Sequence, residues 1–229
     1  MSLINIIKRI VFGYKATSDS YIKHLKRIGV RIGENTVFWG SRKIVIDEGH
    51  PHMISIGDNV NITGNCIILA HDYSSQVGAV LRDGVEIYGN VRPVKISNNV
   101  FLGFGSTILA GTTIEENVII GAGSIVSGLI EKNSVYAGNP AKKIMSLDDY
   151  LQKLSNRQLQ DAINIYKNYK EAFNVVPSEK IFGHYANVFK ANSQPNKEIE
   201  INGKKVSIPF LSYHEFISFV ESEMQGDPN

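Results

Sequence analysis

A six-residue period runs through the middle of the chain and restricts its fold more than any other feature. Apolar side chains recur every six residues from residue 32, lose phase after residue 72, and resume from residue 96 with a shifted phase. The positions are Ile32, Phe38, Ile44, His50, Ile56, Ile62, Ile68, Ile96, Leu102, Ile108, Ile114, Ile120 and Val126. Six residues of an α-helix turn through about 600°, so these side chains cannot share one helix face. The period therefore excludes an amphipathic helix.

Short strands separated by bends explain the period. Three six-residue units, each a strand of two or three residues and a bend, complete one triangular coil, and stacked coils bury the apolar column. Residues that tolerate a left-handed backbone stand at the expected bends, namely Gly33, Gly57, Asp58-Asn59, Gly103, Gly111, Glu116-Asn117 and Gly121. We expect a left-handed backbone there, and the glycine pairs need no nucleotide-binding explanation. The single cysteine, Cys66, is predicted to be a small buried apolar residue.

Composition limits the class of protein. The 229 residues are 43% hydrophobic and 20% charged, as in ordinary globular proteins. One cysteine cannot form an intramolecular disulfide, and no apolar run reaches the roughly 18 residues that span a bilayer. These features predict a cytoplasmic protein.

The net charge of +2 is an average over unlike segments. Residues 1–31 carry seven basic and one acidic side chain, whereas residues 32–145 and 146–229 are each net −2. This distribution excludes a nucleic-acid surface along the whole chain. Residues 1–15 are predicted to form an amphipathic helix that either covers the next domain or contacts the inner face of an anionic membrane. A second helix is predicted with Asp19 or Ser20 as its cap and Gly29 at its end.

Three domains are predicted from these patterns: a helical leader over 1–31, a coil domain over 32–145 with a loop over 72–92, and an α-rich extension over 146–229. Within the extension, a helix starts near Ser146 and stops before Pro177, and a second helix fits 178–190. A hairpin is predicted around Asn202-Gly203, and Ser212 starts a capping box for a last helix. The extension contains no recognisable chemistry of its own.

The coil domain resembles the hexapeptide-repeat acyltransferases. The resemblance is carried by Pro93-Val-Lys-Ile-Ser-Asn-Asn-Val-Phe-Leu-Gly, Ile120-Gly-Ala-Gly-Ser-Ile-Val and Ala137-Gly-Asn-Pro-Ala-Lys-Lys-Ile144. Within that family the chain is similar to the sugar and polysaccharide O-acetyltransferases. The resemblance implies a mainly β fold, the left-handed parallel β-helix, and a homotrimer with active sites between neighbouring copies. It also implies acetyl-CoA as acyl donor and a sugar or glycan as acceptor.

The break in register points to the site. Residues 72–92 must leave the coil, and a loop of about twenty residues inside a compact repeat is usually functional. His71 stands at the root of this loop. A lone histidine there is more often structural, but the resemblance implies that it is the general base. An imidazole with a pKa near 6.5 is suited to accepting the proton of a hydroxyl group. Asp72, Glu86 and a backbone carbonyl are the candidates to orient its ring.

Residues for the acyl donor follow from the resemblance alone. Phe101 stands where the family usually has Trp, and Phe104 stands where it often has a small residue that meets the pantetheine arm. Ala122 matches a backbone-amide position and Ser127 a polar one. Lys142 matches a basic residue near the nucleotide phosphate, and Lys143 is an additional candidate.

The acceptor candidates surround the predicted loop or lie on nearby coils. Aromatic rings of Tyr73, Tyr88 and Trp39 are suited to stacking on a sugar, and the polar candidates are Asn65, Asp72, Arg82 and Glu86. His50 and His52 lie about one coil before His71, where a surface bulge is favoured over acceptor binding. No metal is predicted, because the His-x-x-x-x-His spacing of related zinc enzymes is absent: Gln76 follows His71 by five residues.

Together with the sequence patterns, the resemblance implies a coenzyme-A-dependent O-acetyltransferase that acts on a sugar hydroxyl in the synthesis of a surface polysaccharide. Two alternatives stay open: N-acylation of an amino-sugar nucleotide, and a non-catalytic β-helix scaffold.

Overall fold

The computed structural model of the chain describes residues 10–82, 89–189, 197–201, 204–208, 210 and 212–225. The chain divides into two compact units, Met1–Tyr150 and Leu151–Asn229. The three domain boundaries expected from the sequence stay predictions.

Short strands in groups of three build the first unit. Coil 1 contains β1 (Arg31–Ile32), β2 (Val37–Phe38) and β3 (Val45–Ile46), and coil 2 contains β4 (Ile54–Ile56), β5 (Asn61–Ile62) and β6 (Ile67–Ile68). An excursion with β7 (His71–Asp72) and β8 (Asn90–Val91) follows. Coil 3 contains β9 (Val94–Ile96), β10 (Val100–Leu102) and β11 (Thr107–Ile108), and coil 4 contains β12 (Thr113–Ile114), β13 (Val118–Ile120) and β14 (Ile125–Val126). The last strands are β15 (Leu129–Ile130), β16 (Ser134–Gly138) and β17 (Ala141–Ser146).

Equivalent strands of successive coils form three sheets. Sheet 1 has the order β1-β4-β9-β12-β15, sheet 2 the order β2-β5-β10-β13-β16-β17, and sheet 3 the order β3-β6-β11-β14. All neighbours pair in parallel except β16 and β17, which are antiparallel. Inward residues stack in register, as in the column Ile32, Ile56, Ile96 and Ile114. These residues are buried in one core, which confirms the predicted stack of triangular coils.

The coils differ in length, and this corrects one detail of the predicted column. Ile32 pairs with Ile56, which is 24 residues further along the chain, whereas Ile96 pairs with Ile114, only 18 residues further. The first coil therefore holds six extra residues, in 3₁₀ turns at Ser41–Lys43 and Pro51–Met53. Because of these turns, Ile46 continues the column on sheet 3, and His50 lies in a bend outside it.

The bends use two kinds of residue for two physical reasons. Asn59, Asn117 and Gly111 have φ of 56°, 60° and 83°, so the predicted left-handed backbone is confirmed there. It is wrong at Gly33, Gly57, Gly103 and Gly121, which are absent from the left-handed residues. A Cβ at Gly103 would lie 2.5 Å from the backbone N of Ala122, and one at Gly57 would lie 2.8 Å from the carbonyl carbon of Ser97. Glycine is needed there because the next coil approaches too closely for a side chain.

One helix packs on the first unit ahead of coil 1. This helix, α1 (Ser18–Ile28), buries Tyr21 and Leu25 in the core of the coils, as a covering helix should. Its N-cap is Thr17, which forms a capping box with Ser20, so neither predicted cap residue is correct; Gly29 ends it with φ 115° as predicted. Residues 10–12 are helical, and Ile10 and Val11 are exposed. Membrane contact through residues 1–15 stays a prediction.

The excursion between coils 2 and 3 has its own structure. Strands β7 and β8 pair antiparallel at its base, with His71 opposite Val91 and Asp72 opposite Asn90. A short helix, α2 (Ser75–Leu81), follows β7. The predicted loop thus starts as a strand pair, which fixes the position of its first residues.

The second unit is mainly helical. The long helix α3 (Leu147–Phe173) begins in the first unit and continues into the second, where 3₁₀ turns at Glu179–Phe189 are interrupted at Gly183. Strands β18 (Lys197–Ile201) and β19 (Lys204–Ile208) form the predicted hairpin, and α4 (Tyr213–Gln225) follows Ser212, whose Oγ accepts a hydrogen bond from the N–H of Glu215. A core that includes Leu159, Tyr166, Phe182, Phe216 and Val220 holds it together. Among the helices of the described ranges, none is both long and apolar enough to cross a bilayer.

Candidate active site

An aspartate and a histidine from successive coils meet at the root of the excursion. Asp47 follows β3 directly, and His71 follows β6, the strand that pairs with β3. The Nδ1 atom of His71 and Oδ2 of Asp47 form a short hydrogen bond. The same oxygen accepts hydrogen bonds from the backbone N–H groups of Ala70 at 3.0 Å and His71 at 3.1 Å. Asp47 is only 6% exposed, so its carboxylate is held by the protein rather than by solvent.

The protonation of this pair follows from its contacts. Burial alone would raise the pKa of Asp47, but hydrogen bonds from the His71 ring and from the N–H groups of Ala70 and Gly49 outweigh burial and lower that pKa below its ordinary value. The carboxylate is therefore ionised near neutral pH and can only accept. His71 Nδ1 must then carry the proton, which leaves a lone pair on Nε2.

Three neighbours confine the His71 ring. The His50 ring lies 4.8 Å away, centroid to centroid, and Tyr73 makes an edge contact at 5.1 Å. A Cβ at Gly49 would lie 3.1 Å from Cε1 of His71, so the chain passes beside the ring where only glycine fits easily. This packing fixes the direction in which Nε2 points.

Asp47 is the site residue that the sequence analysis missed. The partners expected for His71 were Asp72, Glu86 and a backbone carbonyl. Asp72 instead accepts hydrogen bonds from Ser74 and from Asn90, and these hold its pKa below the ordinary value. Glu86 lies outside the described residues. The sequence signal for Asp47 is its position, because it lies three residues before His50, which itself lies about one coil before His71.

Three of the donor-site candidates, Phe104, Ala122 and Ser127, lie at two corners of the triangle. The His71 corner joins sheet 3 to sheet 1 and includes residues 47–53, 69–82, 89–93, 109–112 and 127–128. The Phe104 corner joins sheet 2 to sheet 3 and consists of residues 39–44, 63–66, 103–106 and 121–124. Ser127 lies at the His71 corner, two coils or about 10 Å along the axis from His71.

Phe104 and Ala122 are neighbours at the Phe104 corner. The Phe104 ring covers Gly64 of the preceding coil, where a Cβ would lie 3.1 Å from Cε2 of the ring. The Phe104 carbonyl accepts a hydrogen bond of 2.8 Å from Gly123, next to Ala122. Phe101 projects from sheet 2, which is the face opposite the His71 corner, and is partly exposed. One copy of the chain therefore does not bring these three residues to His71.

The two lysine candidates differ in their contacts. Lys143 lies on β17 and forms an ion pair of 3.0 Å with Glu131, whose hydrogen bond raises the pKa of the lysine. The ammonium group of Lys142 is exposed and forms no ion pair with any residue of the described ranges. Lys142 is thus the lysine that is available to a new anion.

The acceptor candidates are dispersed. Tyr73 contacts His71 and is 73% exposed, and Arg82 follows α2 on the surface of the excursion. Trp39 and Asn65 lie at the Phe104 corner, where Nε1 of Trp39 donates a hydrogen bond of 2.9 Å to Oδ1 of Asn61. Tyr88, like Glu86, lies outside the described residues. Of this set, the structure brings Tyr73 and Asp72 next to His71.

Comparisons with known proteins agree with the coil architecture. A family model described as bacterial transferase hexapeptide (six repeats) matches residues 93–128. The chain is 35% identical to protein CapG of Staphylococcus aureus, over 57% of the chain and 73% of that protein. It is 36% identical to galactoside O-acetyltransferase of Escherichia coli, over 52% of the chain and 55% of that enzyme. WbbJ of Escherichia coli, named as a candidate O-acetyl transferase of lipopolysaccharide biosynthesis, is 30% identical over 51% of the chain and 65% of that protein. The chain thus spans little more than half of the galactoside enzyme.

Proposed function

Because this chain belongs to the bacterial hexapeptide-repeat transferase family, we propose that it transfers an acetyl group from acetyl-CoA to a sugar hydroxyl. The observation that carries this proposal is the hydrogen-bonded pair of the buried Asp47 and the partly exposed His71 at the root of the excursion. It holds one imidazole nitrogen as a donor and leaves the other as a base. The O-acetyltransferase names of two relatives support the same reaction.

In this mechanism His71 acts twice. Its Nε2 atom removes the proton of the acceptor hydroxyl as the oxygen attacks the thioester carbonyl carbon. The tetrahedral intermediate then collapses, the carbon–sulfur bond breaks, and the imidazolium returns the proton to the departing thiolate of coenzyme A. Asp47 accepts from Nδ1–H throughout, so that it orients the ring and stabilises the transient positive charge. A backbone N–H of a neighbouring bend is the proposed donor to the oxyanion.

We also infer that the active site requires a second copy of the chain. Phe104 and Ala122, the candidates for the pantetheine arm, lie at a different corner from His71, and Phe101 lies on the opposite face. A homotrimer, as the family resemblance implies, would place one copy's Phe104 corner beside its neighbour's His71. Lys142 is the proposed contact to the nucleotide phosphate of coenzyme A. We also infer from the family resemblance that the coils wind in the left-handed sense.

The proposed acceptor is a sugar unit of a surface polysaccharide. The name of WbbJ supports this class of acceptor, and Tyr73 supplies an exposed aromatic ring beside the base. Asp72 and Arg82 are the polar candidates on the same excursion.

The direct test is release of coenzyme A from acetyl-CoA with a panel of sugars, glycans and sugar nucleotides. We expect turnover with a hydroxyl acceptor and a fall of about 10²-fold or more in kcat for His71→Ala. His52→Ala is the matched control, since His52 is exposed near the same bend and makes no contact with His71 in the described structure. We expect it to keep nearly full activity.

The same assay separates the alternatives. Turnover restricted to amino acceptors would favour N-acylation. An absence of coenzyme A release with every acceptor, or full function in His71→Ala, would favour the scaffold.

A further inference from the structure

Three potential metal ligands converge at the His71 corner. One ligand atom from each of Asp47, His50 and His71 lies within 4.8 Å of the other two. Within the described ranges, no other group of three or more histidine, cysteine or acidic side chains is close enough to hold a metal ion. Two imidazoles and one carboxylate form a donor set that suits zinc and the neighbouring divalent transition metals.

The side chain of His50 has a buried nitrogen atom without a hydrogen-bond partner, which supports a site at this position. Its Nδ1 atom is buried and has no hydrogen-bond partner, which holds for no other buried side-chain nitrogen or oxygen in the described part of the chain. A buried polar atom without a partner is unfavourable, and most such atoms in proteins have one. The His50 ring is tilted by 60° against the His71 ring, at 4.8 Å between centroids. The acyl-transfer mechanism assigns no role to His50, so its unpaired nitrogen needs another explanation.

We propose that Asp47, His50 and His71 form a site for a zinc ion that switches off the general base. Zinc bonds to nitrogen and oxygen at about 2.0 to 2.2 Å, so tetrahedral ligand atoms lie about 3.4 Å apart. Separations of up to 4.8 Å therefore need side-chain movements of only about an ångström to admit the ion.

The inhibitory effect follows from the tautomer of His71. In the metal-free pair, Nδ1 of His71 donates a hydrogen bond to the Asp47 carboxylate, so in the neutral ring the lone pair is on Nε2. A zinc ion between Asp47 and Nδ1 takes the lone pair of Nδ1, and the ring proton moves through solvent to Nε2. The neutral ring keeps one proton, but Nε2 is now a donor and can no longer accept the proton of a hydroxyl. Metal binding and base catalysis thus exclude each other; this regulatory consequence rests on the proposed function, whereas metal binding does not.

The binding test uses the full chain, freed of metal by a chelator. We expect calorimetric titration with Zn²⁺ at pH 7.5 to show that one ion binds per chain. Titration with Co²⁺ should give the visible absorption of a four-coordinate cobalt site. His50→Gln should weaken binding about tenfold or more, because it removes a nitrogen ligand but keeps a polar side chain of similar size. His52→Gln is the matched control and should bind as the wild type does. Lowering the pH to 5.5 should weaken binding, since protons compete for the ligands.

The outcomes separate this inference from the proposed function. Wild-type affinity in His50→Gln, with unchanged thermal unfolding, would overturn the zinc site, as would the lack of any binding by the wild type. Acetyl transfer that zinc inhibits and a chelator restores would support both proposals. Zinc binding without acetyl transfer to any acceptor would support the site and count against the proposed reaction.

Discussion

At the scale of single residues, the orientation of the His71 imidazole decides which of its two nitrogen atoms can act as a base. The Asp47 carboxylate accepts a hydrogen bond from Nδ1 of the His71 ring. It also accepts hydrogen bonds from the backbone N–H groups of Gly49, Ala70 and His71. These contacts make the carboxylate a rigid acceptor that selects one tautomer of the ring. The position of Asp47 is therefore as informative about mechanism as the histidine.

Replacing Asp47 tests this orienting role. We expect Asp47→Asn to lower kcat by about 10²-fold or more, because the amide can donate to the ring and so allow the wrong tautomer. The KM for acetyl-CoA should change little, since Phe104 and Ala122, the candidates for the pantetheine arm, lie at another corner. Glu48→Gln serves as the control, because Glu48 bonds to Tyr14 and His24 and not to His71. Equal turnover by Asp47→Asn and wild type would remove Asp47 from the mechanism.

The lowered pKa of Asp47 also predicts a pH dependence of stability. A carboxyl group whose pKa is lower in the folded state stabilises the fold above its unfolded pKa of about 4, and this contribution is lost as the pH falls through the folded pKa. The free energy of unfolding of the wild type should therefore exceed that of Asp47→Asn by more at pH 6 than at pH 3. Urea unfolding at both pH values measures the difference. An equal difference at the two values would contradict the shift.

The site was only partly predictable from the sequence, for a geometric reason. His71 stands where the six-residue register breaks, and a register break is visible in the sequence itself. Asp47 lies 24 residues earlier, and four extra residues between β3 and β4 disturb the spacing, since Ile46 pairs with Ile68, 22 rather than 18 residues further along the chain. The donor roles of Phe101, Phe104, Ala122, Ser127 and Lys142 stay predictions, since they depend on what binds between copies.

At the scale of elements, the bends between sheet 1 and sheet 2 form a ladder of asparagines. Asn35, Asn59, Asn99, Asn117 and Asn133 all have φ between 53° and 60°. Their side chains bond from coil to coil: Asn99 donates to Asn117 at 2.7 Å, and Asn117 donates to Asn133 at 2.9 Å. Asparagine thus satisfies a left-handed backbone and links neighbouring coils at the same position.

Two substitutions at Asn117 separate these contributions. Asn117→Gly keeps the left-handed backbone but loses two side-chain hydrogen bonds, at an expected cost of about 1 to 2 kcal/mol. Asn117→Ala loses the same bonds and adds the strain of a left-handed alanine, so its cost should be larger by about 1 kcal/mol. Urea unfolding of both variants measures the costs. Equal stability of the two variants would show that the backbone conformation contributes nothing.

The elements were more predictable than the site. Periodicity predicted the coil strands and the excursion, whereas turn and cap residues predicted the hairpin at β18 and β19 and the end of α1 at Gly29. Each of these depends on local spacing or local backbone preference. The glycines at 57 and 103 were predicted for the wrong reason, since their requirement comes from a coil that lies far along the chain. Close approach between coils is a property of the stack and leaves no local signal.

At the scale of the whole molecule, the separation of the His71 and Phe104 corners predicts an obligate oligomer. We expect sedimentation equilibrium to give three times the chain mass of 25.4 kDa. Dilution below the dissociation range should abolish acetyl transfer, because each site would lose its donor half. A monomer with full turnover would contradict both the trimer and the shared site.

The strand pair at the base of the excursion has a consequence for evolution. Since β7 and β8 close the excursion at its root, the entropy of closing the intervening segment depends only weakly on its length. Insertions, deletions and exchanges beyond Asp72 can therefore accumulate without shifting the register of coils 2 and 3. Selection can redesign the surface that meets the acceptor while the Asp47–His71 pair stays in place, so a lineage can acquire new substrates without rebuilding its chemistry.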